Sequence, residues 1–393
     1  MLTIINANII TPMRIIPGGS LTLEGGRITQ VRDTSSSKLN GEVIDAQGLY
    51  LSPGFIDIHI HGGGGADFMD NELEGFVQIA QTHAKFGTTA MLPTTLTGEP
   101  AKLLEVFAVY QEALSLDYSG ADFLGLHLEG PYFAMNQRGA QDPRFIRNPN
   151  PEEYIPLLDR YGHLIRRWSA APELPGALEF GRELRSRGIL AALAHTDAVY
   201  EDILKGVESG FRLATHLYSG MSGMTRKNAY RYAGAIESCL LLDEIDAEII
   251  ADGVHLPEPF LKLICKTKGI ERVILITDAM RGAGMPEGKS ILGSKDDGLE
   301  VIIENGVAKL PDRSSFAGSV ATADQLVRVM MNVAGQTLMD AVRMLTLNPA
   351  RLLSLEHERG IIAQGMRADL LLFDDAINIK QTIVAGRTVY STL

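Results

Sequence analysis

The chain has 393 residues, 45% hydrophobic and 21% charged, with 36 basic and 48 acidic side chains for a net charge of −12. That composition is ordinary for a globular protein, and with no basic run or stripe it speaks against nucleic-acid binding. No apolar stretch approaches the ~18–20 residues that span a bilayer, and the N-terminus lacks the basic segment and small-residue cleavage site of a signal peptide, so a cytoplasmic protein without a membrane partner is expected.

The length suits a barrel of ~250 residues plus an accessory domain. Residues 1 to about 50 read as a β meander: LTIINANII, GSLTLEGGRITQV and EVIDAQGLYL are short alternating runs separated by Gly, Asn and Asp. Thr34 to Lys38 reads as a polar hairpin tip. The C-terminal stretch, from GIIAQGMRADLLLF to the end, has the same texture. Chain ends of a domain often lie close together, so both ends are expected to build one small β-sandwich, residues 1–51 with 358–393, around a central unit of residues 52–357.

Within the central unit, apolar runs alternate with helix-like segments. The predicted strands, in order, are PGFIDIHIH, TTAMLPT, FLGLHLE, RRWSAAPE, ILAALAH, FRLATH, AEIIADG and RVILITD. Apolar runs of this length suit strands buried on both faces. Segments such as NELEGFVQIAQTHAKFG and AKLLEVFAVYQEALSL carry helical periodicity, and ADQLVRVMMNVAG and TLMDAVRMLTLNPARLLSL read as later helices packed outside. Eight such units in order predict a closed parallel (β/α)8 barrel, an α/β fold. Cys239 and Cys265 stand in no metal-binding or redox spacing. They are expected to be buried free thiols, which fits a reducing compartment.

Polar residues sit at the exits of these runs, where such a barrel carries its chemistry. His59 and His61 alternate with Ile on a strand, so both rings point to one side. Glu129, His195 and His216 end three further strands. Neutral imidazoles with a carboxylate suit Zn²⁺, with Fe²⁺ as the other candidate, and a carboxylate can bridge two cations. Asp278 ends the last strand. A carboxylate beside a cation can take a proton from water and return one to a leaving group, whereas an ordinary Asp there would cap the next helix. Asp57 is a candidate support for the metal ligands. His127 faces the same side as Glu129 and is either a pocket residue or a packed core histidine. His83, His163 and His357 fall on helices or in loops and are expected to be non-catalytic.

The motifs LSPGFIDIHIHGGGG, LHLEGPYF, ALAHTDA, ATHLYSGM, IIADGVHLP, LITDAM and FAGS, in this order, resemble the N-acetylglucosamine-6-phosphate deacetylases of the amidohydrolase superfamily. The resemblance runs nearly end to end, and the LHLEGP, THLY and DG-x-H-x-x-P segments are its most specific parts. It implies a β-sandwich with a barrel, a homodimer, and hydrolysis of a 2-acetamido group to the amine sugar and acetate. It also implies one metal on Glu129, His195 and His216, a second at His59 and His61 in some members, Asp278 as the catalytic carboxylate, His255 on the sugar, and a pocket wall around Phe316.

Two departures stand out. Gln141 occupies the place of the histidine in the family's K-G-A-H, and a Gln can donate a hydrogen bond but cannot be a cation. The family's Asn-Ala is Ser219–Gly220 here, and Arg226 and Lys227 stand about where a phosphate-binding arginine would reach a neighbouring subunit. These changes keep an alternative substrate open: an unphosphorylated or different N-acetyl amino sugar, or an N-acyl amino acid, with the same chemistry. A non-enzymatic member that uses the barrel as a scaffold need not keep His59, His61, Glu129, His195, His216 and Asp278, all of which are present here.

Overall fold

The computed structural model describes residues 1–34 and 41–393; the hairpin tip predicted at 34–38 lies, beyond Thr34, outside the described residues. Eight predicted strands form a nearly closed parallel barrel: β1 Phe55–Ile60, β2 Thr88–Thr95, β3 Leu126–Glu129, β4 Ile165–Ala170, β5 Leu190–Leu193, β6 Phe211–Ala214, β7 Asp246–Ile250 and β8 Val273–Ile276. Consecutive strands pair in parallel from β1 to β8. The ring is completed just past β8, where Asp278 N–H donates to His59 O at 2.9 Å and His61 N–H to Ala279 O at 2.8 Å. The predicted third strand is interrupted: Asp122–Phe123 pairs separately with β2, and Gly125 at φ +129° breaks the run before β3.

The lower barrel interior is apolar, with Ile56, Ile58, Leu92, Leu213, Ile250, Ile274 and Ile276 in one buried cluster. Above it the interior becomes polar, and that change of layer is what makes a site. Helices cover the outside through a second cluster around Phe76, Phe107, Trp168, Phe180 and Leu326. Their ends follow capping chemistry. Asn150 caps the helix Pro151–Tyr161 through Glu152 N–H at 3.1 Å, and Gly210, at φ +111°, terminates Tyr200–Ser209.

Both chain ends join one eight-stranded mixed sheet, in which Leu370–Phe373 runs antiparallel to Tyr50–Pro53. Its own core includes Ile4, Ile9, Leu21, Leu51, Leu370 and Ile383. Arg359 ties this sheet to the barrel, reaching Asp369 at 3.0 Å and Asp122 at 2.7 Å. Outside the predicted elements lie an antiparallel four-stranded sheet between Gly288 and Ser319, an exposed hairpin of Thr225–Lys227 with Tyr230–Tyr232, and a short antiparallel pair of Gly62–Gly63 with Ala66–Asp67. Cys239 and Cys265 are free and buried, and burial pushes their thiols up to about 12 and about 11. Among the described residues no helix is long and apolar enough to cross a membrane.

Candidate active site

The strand exits converge on Glu129 at the end of β3. Its carboxylate belongs to two groupings of metal-ligand type, His59–His61–Glu129 and Glu129–His195–His216, all buried. Oε1 lies 3.1 Å from His216 Nε2, 3.4 Å from His59 Nε2 and 3.5 Å from His195 Nε2, and Oε2 lies 3.5 Å from His61 Nε2. Asp278 Oδ1 is 3.1 Å from His61 Nε2 and 3.5 Å from His59 Nε2.

The outward nitrogens explain why these rings point as they do. His61 Nδ1 is 3.3 Å from Thr94 O, His195 Nδ1 2.8 Å from Gln137 O, and His216 Nδ1 3.1 Å from Ser219 O. His59 Nδ1 is 2.8 Å from Glu248 Oε1. Each acceptor requires the proton on Nδ1, which leaves the Nε2 lone pair facing inward. Four lone pairs and two carboxylates thus meet in one buried space. Only cations relieve that arrangement, so the donor set fits a divalent metal or two. Protons feel the same field. Burial would lower His59, but the Asp278, Glu129 and Glu248 carboxylates raise it to about 10. Burial would raise Glu129 and Asp278, yet His59 and its neighbours hold both carboxyls below the usual range, Glu129 well below it.

Backbone geometry at the exits is unusual. His195, His216 and Asp278 have φ of 44°, 31° and 48°. Left-handed backbone at residues other than glycine costs about 1–3 kcal/mol each and concentrates at functional sites. Here it turns three side chains off their strands toward one point. Asp57 supports this point from below, accepting from His59 N–H at 3.2 Å and from Thr277 Oγ1 at 2.5 Å.

A cavity of about 560 Å³ opens over the cluster. It brings together His61, Glu129, His195, His216 and Asp278 with Gln141, Ser219, Gly220, His255 and Phe316; His59 lies buried beneath. His255 is oriented by Asp252 Oδ2, 2.7 Å from its Nδ1, and its ring sits 4.3 Å from Phe316. Gln141 donates to Glu129 Oε2 at 2.7 Å and accepts from Thr97 N–H at 2.9 Å. Gly220, at φ +59°, has a specific reason to lack a side chain: a Cβ there would stand 2.7 Å from His195 Nδ1.

Arg226 and Lys227 are not brought into this cavity; both lie on the exposed hairpin. Lys309 and Arg313, on the unpredicted sheet and its loop, line the cavity instead. The sequence reading also missed Glu248 and Arg167, fully buried beneath the cluster. A charged residue inside each apolar run, Glu248 in AEIIADG and Arg167 in RRWSA, was their available signal. His127 resolves as a buried residue bonded to Ser169 Oγ at 2.7 Å and Thr94 Oγ1 at 3.2 Å, edge-on to His59. His83 is buried on its helix and bonded to Gly62 O at 2.9 Å.

Residues 50–389 match the amidohydrolase family. The chain belongs to the amidohydrolase family. Within it, the chain is 34% identical to the N-acetylglucosamine-6-phosphate deacetylase of Lysinibacillus sphaericus, over 93% of this chain and 92% of that protein. It is 32% identical to the N-acetylgalactosamine-6-phosphate deacetylase of Escherichia coli O157:H7, over 86% and 87%. Among solved structures, a mutant N-acetyl-D-glucosamine-6-phosphate deacetylase from Mycobacterium smegmatis, in complex with N-acetyl-D-glucosamine-6-phosphate, superimposes with a TM-score of 0.90 at 29% identity, covering 99% of both chains. The resemblance read from the motifs is borne out, as is the barrel with a sheet drawn from both chain ends.

Proposed function

We propose that this amidohydrolase removes the 2-acetamido group of N-acetylglucosamine 6-phosphate, giving glucosamine 6-phosphate and acetate. The observation that carries the reading is the cavity in which Glu129, Asp278 and the imidazoles of His61, His195 and His216 meet beside Gln141 and His255, with His59 buried just beneath. Near end-to-end similarity to sugar-phosphate deacetylases supports the substrate class. Zn²⁺ is the proposed ion, with Fe²⁺ second, held by Glu129, His195 and His216 and, for a second ion, by His59 and His61. Bound there, the cation supplies Lewis-acid polarisation of the amide carbonyl and lowers the pKa of water.

The chain's own residues do the rest. Asp278, ionised at the cavity floor, accepts a proton from the attacking water and delivers it to the departing amine nitrogen. Its carboxyl is held below the usual range, so it is ready as a base at neutral pH. His255, fixed by Asp252, presents Nε2 to the sugar or the acetamide oxygen. Gln141 holds Glu129 in place and has one amide hydrogen left for the developing oxyanion. Phe316 and the Ser219–Gly220 loop shape the sugar wall.

For the phosphate we propose Arg226 and Lys227 acting across a homodimer. All six strand residues of their hairpin are exposed, Tyr230 at 73%. Residues 52–357 are our catalytic unit, with 1–51 and 358–393 as the supporting domain, and the two buried free cysteines suit a cytoplasmic setting. A second reading, the galacto epimer as substrate, is favoured by the 32% identity to an N-acetylgalactosamine-6-phosphate deacetylase. The test is steady-state deacetylation of N-acetylglucosamine 6-phosphate, its galacto epimer and unphosphorylated N-acetylglucosamine by zinc-supplemented enzyme. We expect the highest kcat/KM for the gluco 6-phosphate. A higher value for the epimer transfers the assignment to it, and equal values with and without phosphate remove the phosphate from it.

A further inference from the structure

We propose that Glu248, held by Arg167, is a positioning residue that gives the His59–His61 side of the centre its affinity for a second cation. This rests on the reading of the cluster as a divalent-metal site.

Glu248 is the third residue of β7 and is fully buried. Its Oε1 lies 2.8 Å from His59 Nδ1 and also accepts from His216 N–H at 3.3 Å. Its Oε2 is held by the Arg167 guanidinium. Arg167 in turn donates to Ile58 O at 3.1 Å and to Thr215 Oγ1 at 2.8 Å. The pair therefore grips the chain immediately before His59 and immediately before His216, joining the two ligand groupings from below.

The chemistry singles out His59. The other three inward-facing imidazoles have backbone carbonyls at Nδ1. His59 alone has a carboxylate there. An anionic partner fixes the tautomer as a carbonyl does and also raises the basicity of the opposite nitrogen, which strengthens it as a metal ligand. That nitrogen, Nε2, lies 3.3 Å from His61 Nε2, 3.4 Å from Glu129 Oε1 and 3.5 Å from Asp278 Oδ1, where a second ion would sit. A purely structural role explains less. Barrel interiors are filled by branched apolar side chains, as the layer just below is here, and a buried ion pair is commonly no more stabilising than such packing.

The test is ion content per chain at buffered free zinc, measured for wild type, Glu248→Gln, Glu248→Leu and the double variant Arg167→Met/Glu248→Leu, each with a thermal midpoint. Glu248→Gln keeps an acceptor for His59 but loses the charge, and its second ion should bind about tenfold more weakly. Glu248→Leu loses both, and about a hundredfold is expected. The ion on Glu129, His195 and His216 should bind as in wild type, and excess zinc should refill the second position. The double variant leaves no unpaired Arg167, so a folded double variant with the same loss attributes it to the His59 partner. A wild type that takes one ion only, or variants that fill both positions at wild-type zinc, would overturn the proposal. Turnover of N-acetylglucosamine 6-phosphate is scored separately: altered zinc binding in a protein without deacetylase activity keeps this inference and sinks the functional reading.

Discussion

Replacing Gln141 by Leu tests how far the centre depends on hydrogen bonding to Glu129. Leu has a similar volume, so the change removes two bonds with little loss of packing. The first, from Gln141 Nε2 to Glu129 Oε2 at 2.7 Å, is charge-assisted and worth about 1.5–3 kcal/mol. The second, from Thr97 N–H to Gln141 Oε1 at 2.9 Å, would leave a buried amide unpaired at about 1–3 kcal/mol. Together the variant should lose about 2.5–6 kcal/mol of stability, read as a lower denaturant midpoint in zinc-loaded protein. If the Glu129 bond also counts in the reaction, kcat/KM falls about 10- to 100-fold, at ~1.4 kcal/mol per factor of ten. Gln141→His, which keeps a donor, should lose less. Gln141→Glu, which sets a carboxylate against Glu129, should lose more. A Gln141→Leu protein with wild-type midpoint and kcat/KM within threefold would show that neither bond supports the centre.

His83 is buried with Nδ1 unpartnered, and burial depresses it from 6.5 to about 4. A base whose folded pKa is lowered contributes stability that is present above 6.5 and is lost as pH falls toward 4, because the unfolded chain binds the proton first. The loss should reach about 3 kcal/mol between pH 7 and 4; denaturant midpoints of wild type and His83→Gln should converge at low pH, and equal acid sensitivity in both would contradict it. Arg226→Ala and Lys227→Ala should raise KM for the phosphorylated sugar about 10- to 100-fold, the range for one charge-assisted bond, while leaving the unphosphorylated sugar unchanged. If Lys309→Ala or Arg313→Ala alone has that effect, the phosphate is held within one chain.

The barrel was legible because parallel strands buried on both faces leave continuous apolar runs, and because histidines and carboxylates end those runs. His59, His61, Glu129, His195, His216 and Asp278 were all found by that one rule, and all six converge. The rule fails for groups inside a run. Glu248 and Arg167 are buried by pairing with each other, a long-range match that neither strand reveals alone. The hairpin and the sheet of Gly288–Ser319 were missed because their strands are short, partly exposed and antiparallel, with weak alternation. Lys309 and Arg313 went unnoticed for the same reason. Arg226 and Lys227 were chosen by position relative to a family pattern, and spacing along the chain says nothing about which copy's cavity they serve.

We propose that this cavity performs metal-assisted amide hydrolysis with Asp278 moving the proton. The most direct test is zinc-loaded Asp278→Asn, assayed for bound ion and for glucosamine 6-phosphate release from N-acetylglucosamine 6-phosphate. The Asn keeps the size and loses the base, so the wild-type ion is expected on Glu129, His195 and His216, with turnover reduced by about 10²–10⁴-fold. Turnover within a few-fold of wild type, with the ion in place, would contradict it.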